Sequence, residues 1–204
     1  MTNKFIKALR EYNLPDFFRL CFSFFYTRLF YPEARIIRLP FYLRGRKSIV
    51  FGSGFTTGTH CRIEAYPVDE NSRVLRFGKN VQINDYVHIA ACECVTIGDN
   101  VLVASKVFIS DHNHGAYFGE NQDSPDIPPS KRRLVSKPVN IADNVWIGEF
   151  VSILPGVSIG KGSIIGTMSV VAHDIPDYSI AVGAPARVIK KYNFISKKWE
   201  KVND

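Results

Sequence analysis

Asp111, His112, Asn113 and His114 stand side by side in "IGDNVLVASKVFISDHNHG" at 97–115 and form the densest group of proton-moving side chains in the sequence. Imidazoles titrate near neutral pH, and an adjacent carboxylate orients whichever ring acts, so the chemistry on offer is general base or acid catalysis. The same stretch carries an aliphatic residue at Ile97, Val103 and Ile109, and this rhythm stops directly after His114. The element that positions the histidines is therefore to be read from the rhythm.

Blocks of six residues run through most of the chain: FGSGFT, TGTHCR and IEAYPV from Phe51; FGKNVQ, INDYVH and IAACEC from Phe77; IGDNVL, VASKVF and ISDHNH from Ile97; IADNVW, IGEFVS and ILPGVS from Ile141; IGKGSI, IGTMSV and VAHDIP from Ile159. Most open with Ile, Val or Phe, often followed by Gly or Ala. A period of six does not match a helix, whose apolar stripe repeats at about 3.6, whereas short strands joined by tight corners accommodate it. Three blocks make one triangular coil, and coils stack as parallel strands, with the first position filling the prism and the small second position at a corner. Extra residues enter only after a third block, at 69–76, 95–96 and 115–140, so all three excursions are expected at one corner. The longest follows His114, has no pattern of its own and is rich in Pro, Lys and Arg; loops of that kind are functional or disordered.

A chain of 204 residues, 46% of them hydrophobic, suits one main domain. Its net charge of +7 fits nucleic acid, an anionic membrane surface or a phosphorylated ligand, and sign alone does not choose among them. Cys21, Cys61, Cys92 and Cys94 show no Cys-x-x-Cys spacing and read as reduced, buried thiols. Lys4, Lys7, Arg10 and Glu11 lead to Pro15 and Asp16 rather than to an apolar run, which is not the pattern of a cleavable signal. The expected location is cytoplasmic. Between 14 and 31 the sequence is crowded with Phe and Tyr but interrupted by Arg19 and Arg28, so it is no ordinary membrane span, which needs about 20 apolar residues. It reads as a cap over the open end of the prism, as peripheral contact with a bilayer surface, or as both.

The blocks, with "NVWIG" at 144–148, "ILPGVSIG" at 153–160 and "VGAPARVIKKY" at 182–192, resemble the hexapeptide-repeat acyltransferases. "VQINDYVHIAA" at 81–91 and "ASKVFISDHNHG" at 104–115 are similar, within that family, to the lipopolysaccharide O-antigen O-acetyltransferases. The resemblance implies a left-handed parallel β-helix, a homotrimer, and direct transfer of an acetyl group from acetyl-CoA to a sugar hydroxyl without an acyl-enzyme. No nucleophile elbow or catalytic triad is then required. His114 matches, without gaps, the catalytic histidine of the family's galactoside acetyltransferases; His112 is the competitor, expected to point differently and to play a supporting part. Asn84 falls where those relatives hold the acceptor, with Asp85 beside it, and Trp146 is placed either against the acceptor or donor or against a neighbouring subunit. Thr167, Ala172, His173, Arg187 and Lys190 match the positions that hold CoA. Ala172 and His173 replace the Thr-Lys pair of many relatives, which weakens one phosphate contact.

The expected division is 1–46 as an N-terminal aromatic and basic helical lead-in, 47–176 as the β-helix with a loop at 115–140, and 177–204 as a tail for the CoA site, with a short helix as an option there. The partners that the resemblance implies are acetyl-CoA and a carbohydrate, and neither nucleic acid nor a metal is expected. Two other functions fit a β-helix. A zinc hydrase of the γ-carbonic anhydrase kind would draw on His60, His88, His112, His114 and His173, but the widely spaced histidine pair of that family's ligand segment is missing. A non-catalytic solenoid would hold an anionic polymer through its positive charge, and has no use for the histidine cluster.

Overall fold

The computed structural model describes residues 12–69 and 71–202. Lys4, Lys7, Arg10 and Glu11, and with them the start of the lead-in, lie outside the described residues. Helix α1, Leu14–Phe30, begins where the Asn13 side chain accepts the amide of Asp16 at 2.9 Å, with Pro15 in its first turn. Among the described residues no helix is long and apolar enough to cross a membrane.

The rest of the chain winds into a left-handed parallel β-helix of three sheets. Face one stacks Phe41–Arg44, Cys61–Ala65, His88–Ala91, Phe108–Ser110, Ser152–Ile153 and Val170–Val171. Face two stacks Ile49–Val50, Leu75–Phe77, Val95–Ile97, Val139–Ile141 and Ser158–Ile159. Face three stacks Thr56–Thr57, Gln82–Ile83, Leu102–Val103, Trp146–Ile147, Ile164–Ile165 and Ser179–Gly183. The six-residue period fixes the register: Ile63, Ile89, Ile109, Ile153 and Val171 lie directly above one another, all fully buried. The winding is under way before residue 47, because Phe41–Arg44 already pairs with Cys61–Ala65 and Ile36 bridges to Thr56.

The corners follow from backbone chemistry. His60, Asn80, Tyr86, Asn100, Lys106, Asn144, Phe150 and Met168, each fourth in its block, take left-handed φ values between 57° and 60°, or 55° at Asn80. The second position lies against the backbone of the next coil; a Cβ at Gly78 would come within 2.4 Å of Asp99 Oδ1 and 2.6 Å of the carbonyl carbon of Gly98. Aspartates placed two residues after an inward aliphatic tie coils together. Asp85, Asp99, Asp143 and Asp177 accept the amides of Thr59, Lys79, Asp99 and Lys161 at 2.6–2.8 Å.

Both ends of the prism are closed. Tyr26 and Tyr31 pack on the core, Tyr31 sets its ring against Phe51, and Phe51, Phe55 and Phe77 cluster inside the first coils. At the other end Ser179–Gly183, Ala186–Asn193 and Lys198–Lys201 form an antiparallel sheet instead of the optional short helix. Alternate residues from Ala186 onward face inward, a period of two that a helix does not satisfy.

The stack carries the stability. Ile153→Ala, in the middle of the Ile63–Val171 column, is expected to lower the unfolding free energy by about 2–4 kcal/mol, measured by chemical denaturation; a change near zero would show that the column is not the core.

Candidate active site

Asp111 occupies the same place in its block as the corner aspartates but does more. It is fully buried, and its carboxylate accepts the amides of Cys92 at 2.9 and 3.0 Å, Glu93 at 2.8 Å and Cys94 at 2.8 Å, all from the coil below. It also meets His112 Nδ1 at 3.0 Å. A carboxylate only accepts, so Nδ1 is the protonated nitrogen and Nε2 is left as the acceptor. Burial pushes the Asp111 pKa up, but the bonds from His112 and the three amides outweigh it, and the net shift is downward from 3.8. Ser110 Oγ lies 3.2 Å from the same ring nitrogen, accepts the His112 amide at 3.3 Å and donates to the His112 carbonyl at 3.2 Å.

Directly after Asp111 the chain leaves the prism. His112–His114 pairs antiparallel with Leu134–Ser136, placing His112 opposite Ser136 and His114 opposite Leu134. The long excursion thus has a built root. Two of its basic residues fasten the loop to itself: Arg132 donates to the carbonyls of Ile127 and Pro125 and to the Tyr117 hydroxyl, and Arg133 pairs with Asp123 at 3.3 Å. The Tyr117 hydroxyl in turn donates to the carbonyl of His114. The His112 side chain is only 14% exposed, whereas His114 is exposed and, among the described residues, its ring has no hydrogen-bond partner.

Both histidines line a cleft of about 510 Å³ that runs down face one past Ser110, Phe108, Ala90 and His88 to Glu64 and Tyr66. Its far end is a network that sequence reasoning missed. Glu64 accepts from Arg62 at 2.7 Å, the Tyr66 hydroxyl at 2.6 Å and His88 Nε2 at 3.1 Å. The only signal was alternation: Arg62, Glu64, His88 and Ser110 face outward in aligned registers, and those registers need the length of the 69–76 excursion.

The other candidates divide between places. His112 and His114, with Ala172 and His173 two coils higher, follow the corner between faces one and two. Asn84, Asp85 and Thr167 lie at the corner between faces three and one, a full face away, roughly 20 Å for six extended residues. Within one chain the structure therefore does not bring Asn84 to the histidines. Asn84 accepts from Gln82 at 3.2 Å, and Asp85 is engaged by Thr59. Trp146 is half-exposed on face three, and Arg187 and Lys190 lie on the terminal antiparallel sheet that extends it.

Cys92, Asp111 and His112 offer atoms within 4.8 Å of one another, the spacing of a metal site. The donor set fits an ion poorly. The Asp111 oxygens are already filled by amides, and burial, with the Asp111 charge, pushes the Cys92 thiol up to about 11, away from the thiolate a metal binds. The same shift argues against Cys92 as a nucleophile.

Comparison with known proteins gives four consistent findings. A family model described as bacterial transferase hexapeptide (six repeats) matches residues 138–173. The chain is 48% identical over 197 residues, 96% of its length and 98% of the relative's, to the Escherichia coli K12 protein WbbJ, named for lipopolysaccharide biosynthesis O-acetyl transfer. It is 34% identical over 160 residues, covering 78% of this chain and 75% of the relative, to the galactoside O-acetyltransferase of the same organism. Among solved structures, the hexapeptide-repeat containing acetyltransferase VCA0836 of Vibrio cholerae, complexed with acetyl coenzyme A, superposes with a TM-score of 0.53 at 26% identity, over 72% of each chain.

Asp111→Asn is expected to lower stability at neutral pH by about 2–4 kcal/mol, since a neutral amide accepts less strongly and its own N–H groups face the amides of Cys92–Cys94. Because the folded Asp111 pKa is depressed, its contribution is full above the ordinary value of 3.8 and is lost as pH falls through the folded value. The gap between parent and variant in denaturant unfolding should therefore shrink on going from pH 7 to about pH 3; an undiminished gap would mean that the charge is not what the amides hold.

Proposed function

The chain belongs to the hexapeptide-repeat acetyltransferases, and from that premise we propose that it transfers an acetyl group from acetyl-CoA to a sugar hydroxyl of a surface polysaccharide or its lipid-linked precursor. The 98% coverage of WbbJ and the acetyl-CoA complex of VCA0836 support donor and acceptor class. The observation that carries the mechanism is His114 itself: an exposed imidazole with no hydrogen-bond partner among the described residues, lining the cleft on a strand whose root is pinned by Asp111 and His112.

In this reading His114 takes the proton from the sugar hydroxyl as its oxygen attacks the thioester carbonyl carbon. The carbon–sulfur bond then breaks, and the imidazolium returns the proton to the departing CoA thiolate, so the histidine ends as it began. His112 keeps the strand and its neighbour in place. The Asp111–His112 pair also has the form of an oriented base, which makes His112 the second reading for this role.

The division of candidates between two corners supports a homotrimer. A second copy, with its Asn84 and Thr167 corner against the His114 and His173 corner of the first, joins the two halves, and the acetyl-CoA would lie between them toward Arg187 and Lys190. Four free thiols suit a cytoplasmic location, and the acceptor is met at a membrane surface.

Acetyl-CoA turnover with a glycan acceptor, and mass spectrometry for one added acetyl per acceptor, test the reaction. His114→Ala should lose about two to four orders of magnitude in turnover, with CoA binding by calorimetry little changed, and His112→Ala should lose less. The reverse order would make His112 the base; two active variants would place the base elsewhere.

A further inference from the structure

Helix α1 is amphipathic in an inverted sense. Its prism-facing side is partly polar: Thr27 is buried and takes the amide of Ile37 at 2.8 Å, while buried Ser23 takes the amide of Leu39 at 3.2 Å. The side turned away carries Leu14, Phe18, Phe22, Phe25 and Leu29, spaced four, four, three and four residues apart, and each is between 65% and 74% exposed. At 3.6 residues per turn this is one continuous stripe, and five such side chains leave on the order of 600 Å² of apolar surface open, at the upper end of what a monomer surface shows and in the range where such patches are often functional.

Charge identifies what covers it. On the helical wheel Arg19 and Arg28 fall on opposite edges of the stripe; Arg19, 78% exposed, pairs with Asp16 at 3.3 Å on the helix surface, and Arg28 lies over the Phe24 ring at 5.2 Å. Between Tyr12 and Arg62 the chain has eight basic residues and two acidic ones, so the helix end of the prism is strongly positive, as is the terminal sheet at the other end. A second copy laid on this stripe would set like charges along both edges. At 17 residues the helix is about 25 Å long, short of the roughly 30 Å hydrocarbon thickness, so it suits lying in an interface rather than crossing it.

We propose that the outward face of α1 docks the protein on an anionic lipid bilayer, the aromatic stripe entering the headgroup and acyl boundary while Arg19 and Arg28 meet lipid phosphates. The inference rests on the acetyltransferase reading only for its purpose, which is to hold the histidine corner near acceptors carried by the membrane. The binding physics is independent of the reaction.

The test is flotation of the full chain with vesicles of phosphatidylglycerol and phosphatidylethanolamine, and with vesicles of phosphatidylcholine alone. The variants are Phe18→Ser/Phe22→Ser/Phe25→Ser and Arg19→Glu/Arg28→Glu, each checked for an unchanged thermal transition and mass in solution. Parent protein should float with the anionic vesicles, less with the neutral ones and less at high salt. The triple serine variant should lose at least about tenfold in bound fraction, while acetyl transfer to a water-soluble acceptor stays intact. Absence of parental flotation would overturn the proposal, as would equal flotation of parent and triple variant. A drop in molecular mass of the triple variant would overturn it in favour of a contact between copies. Loss of transfer in the parent with flotation intact would fault the enzymatic reading alone.

Discussion

A carboxylate cannot be buried without donors, and Asp111 finds them in the three consecutive amides of Cys92, Glu93 and Cys94. Those amides converge only because the coil below turns its corner at that height, so the anchor of the histidine strand exists only once two coils have stacked. Elsewhere the place two residues after an inward aliphatic is filled by Asp85, Asp99, Asp143 and Asp177, each held by one amide of the coil below. At Asp111 the chain departs from the prism, the amides left open at the corner collect on one side chain, and a fastening common to the whole solenoid becomes the mount of His112 and the root of His114. Fold stability and site geometry are in this respect one interaction.

The architecture was legible in the sequence because a strict period of six admits few folds. The aliphatic residues that opened the blocks are the buried columns, and the added lengths at 69–76, 95–96 and 115–140 all fall between faces one and two, although 75–76, 95–96 and 139–140 are themselves paired in the strands of face two. The departures have physical reasons. Arg132 and Arg133 read as part of a basic, patternless loop, yet their guanidinium groups fasten that loop to itself through carbonyls and Asp123, contacts between residues whose partners no local pattern announces. The terminal segment became strands because Ala186–Asn193 found an edge to pair with in Ser179–Gly183, a tertiary opportunity that outweighs local preference. The Glu64 network was invisible because Arg62, Tyr66 and His88 come together only through strand register.

The candidate site was legible residue by residue but not as an arrangement. The family resemblance assigned Asn84 to the acceptor and His114 to the base of one reaction, while the winding sets them on different edges of the prism. This follows from the triangle itself, since positions one face apart within a coil cannot be neighbours, however close they stand in a family motif. In the proposed reading a second copy completes each site, and the polarity of the prism orders the rest: the aromatic helix at one end, the histidine corner at mid-height, the basic terminal sheet at the other end.

The most direct measurement is complementation between two inactive chains. His114→Ala and Asn84→Ala variants, each carrying a different affinity tag, are produced together, and oligomers containing both are purified and assayed for acetyl transfer. If sites are shared between neighbouring copies, a closed three-fold ring of mixed composition holds one intact site, and turnover returns to about a third of the parental value per assembly. Mixed assemblies that form but stay as inactive as either variant alone would contradict the account, because each chain would then have to supply its whole site by itself.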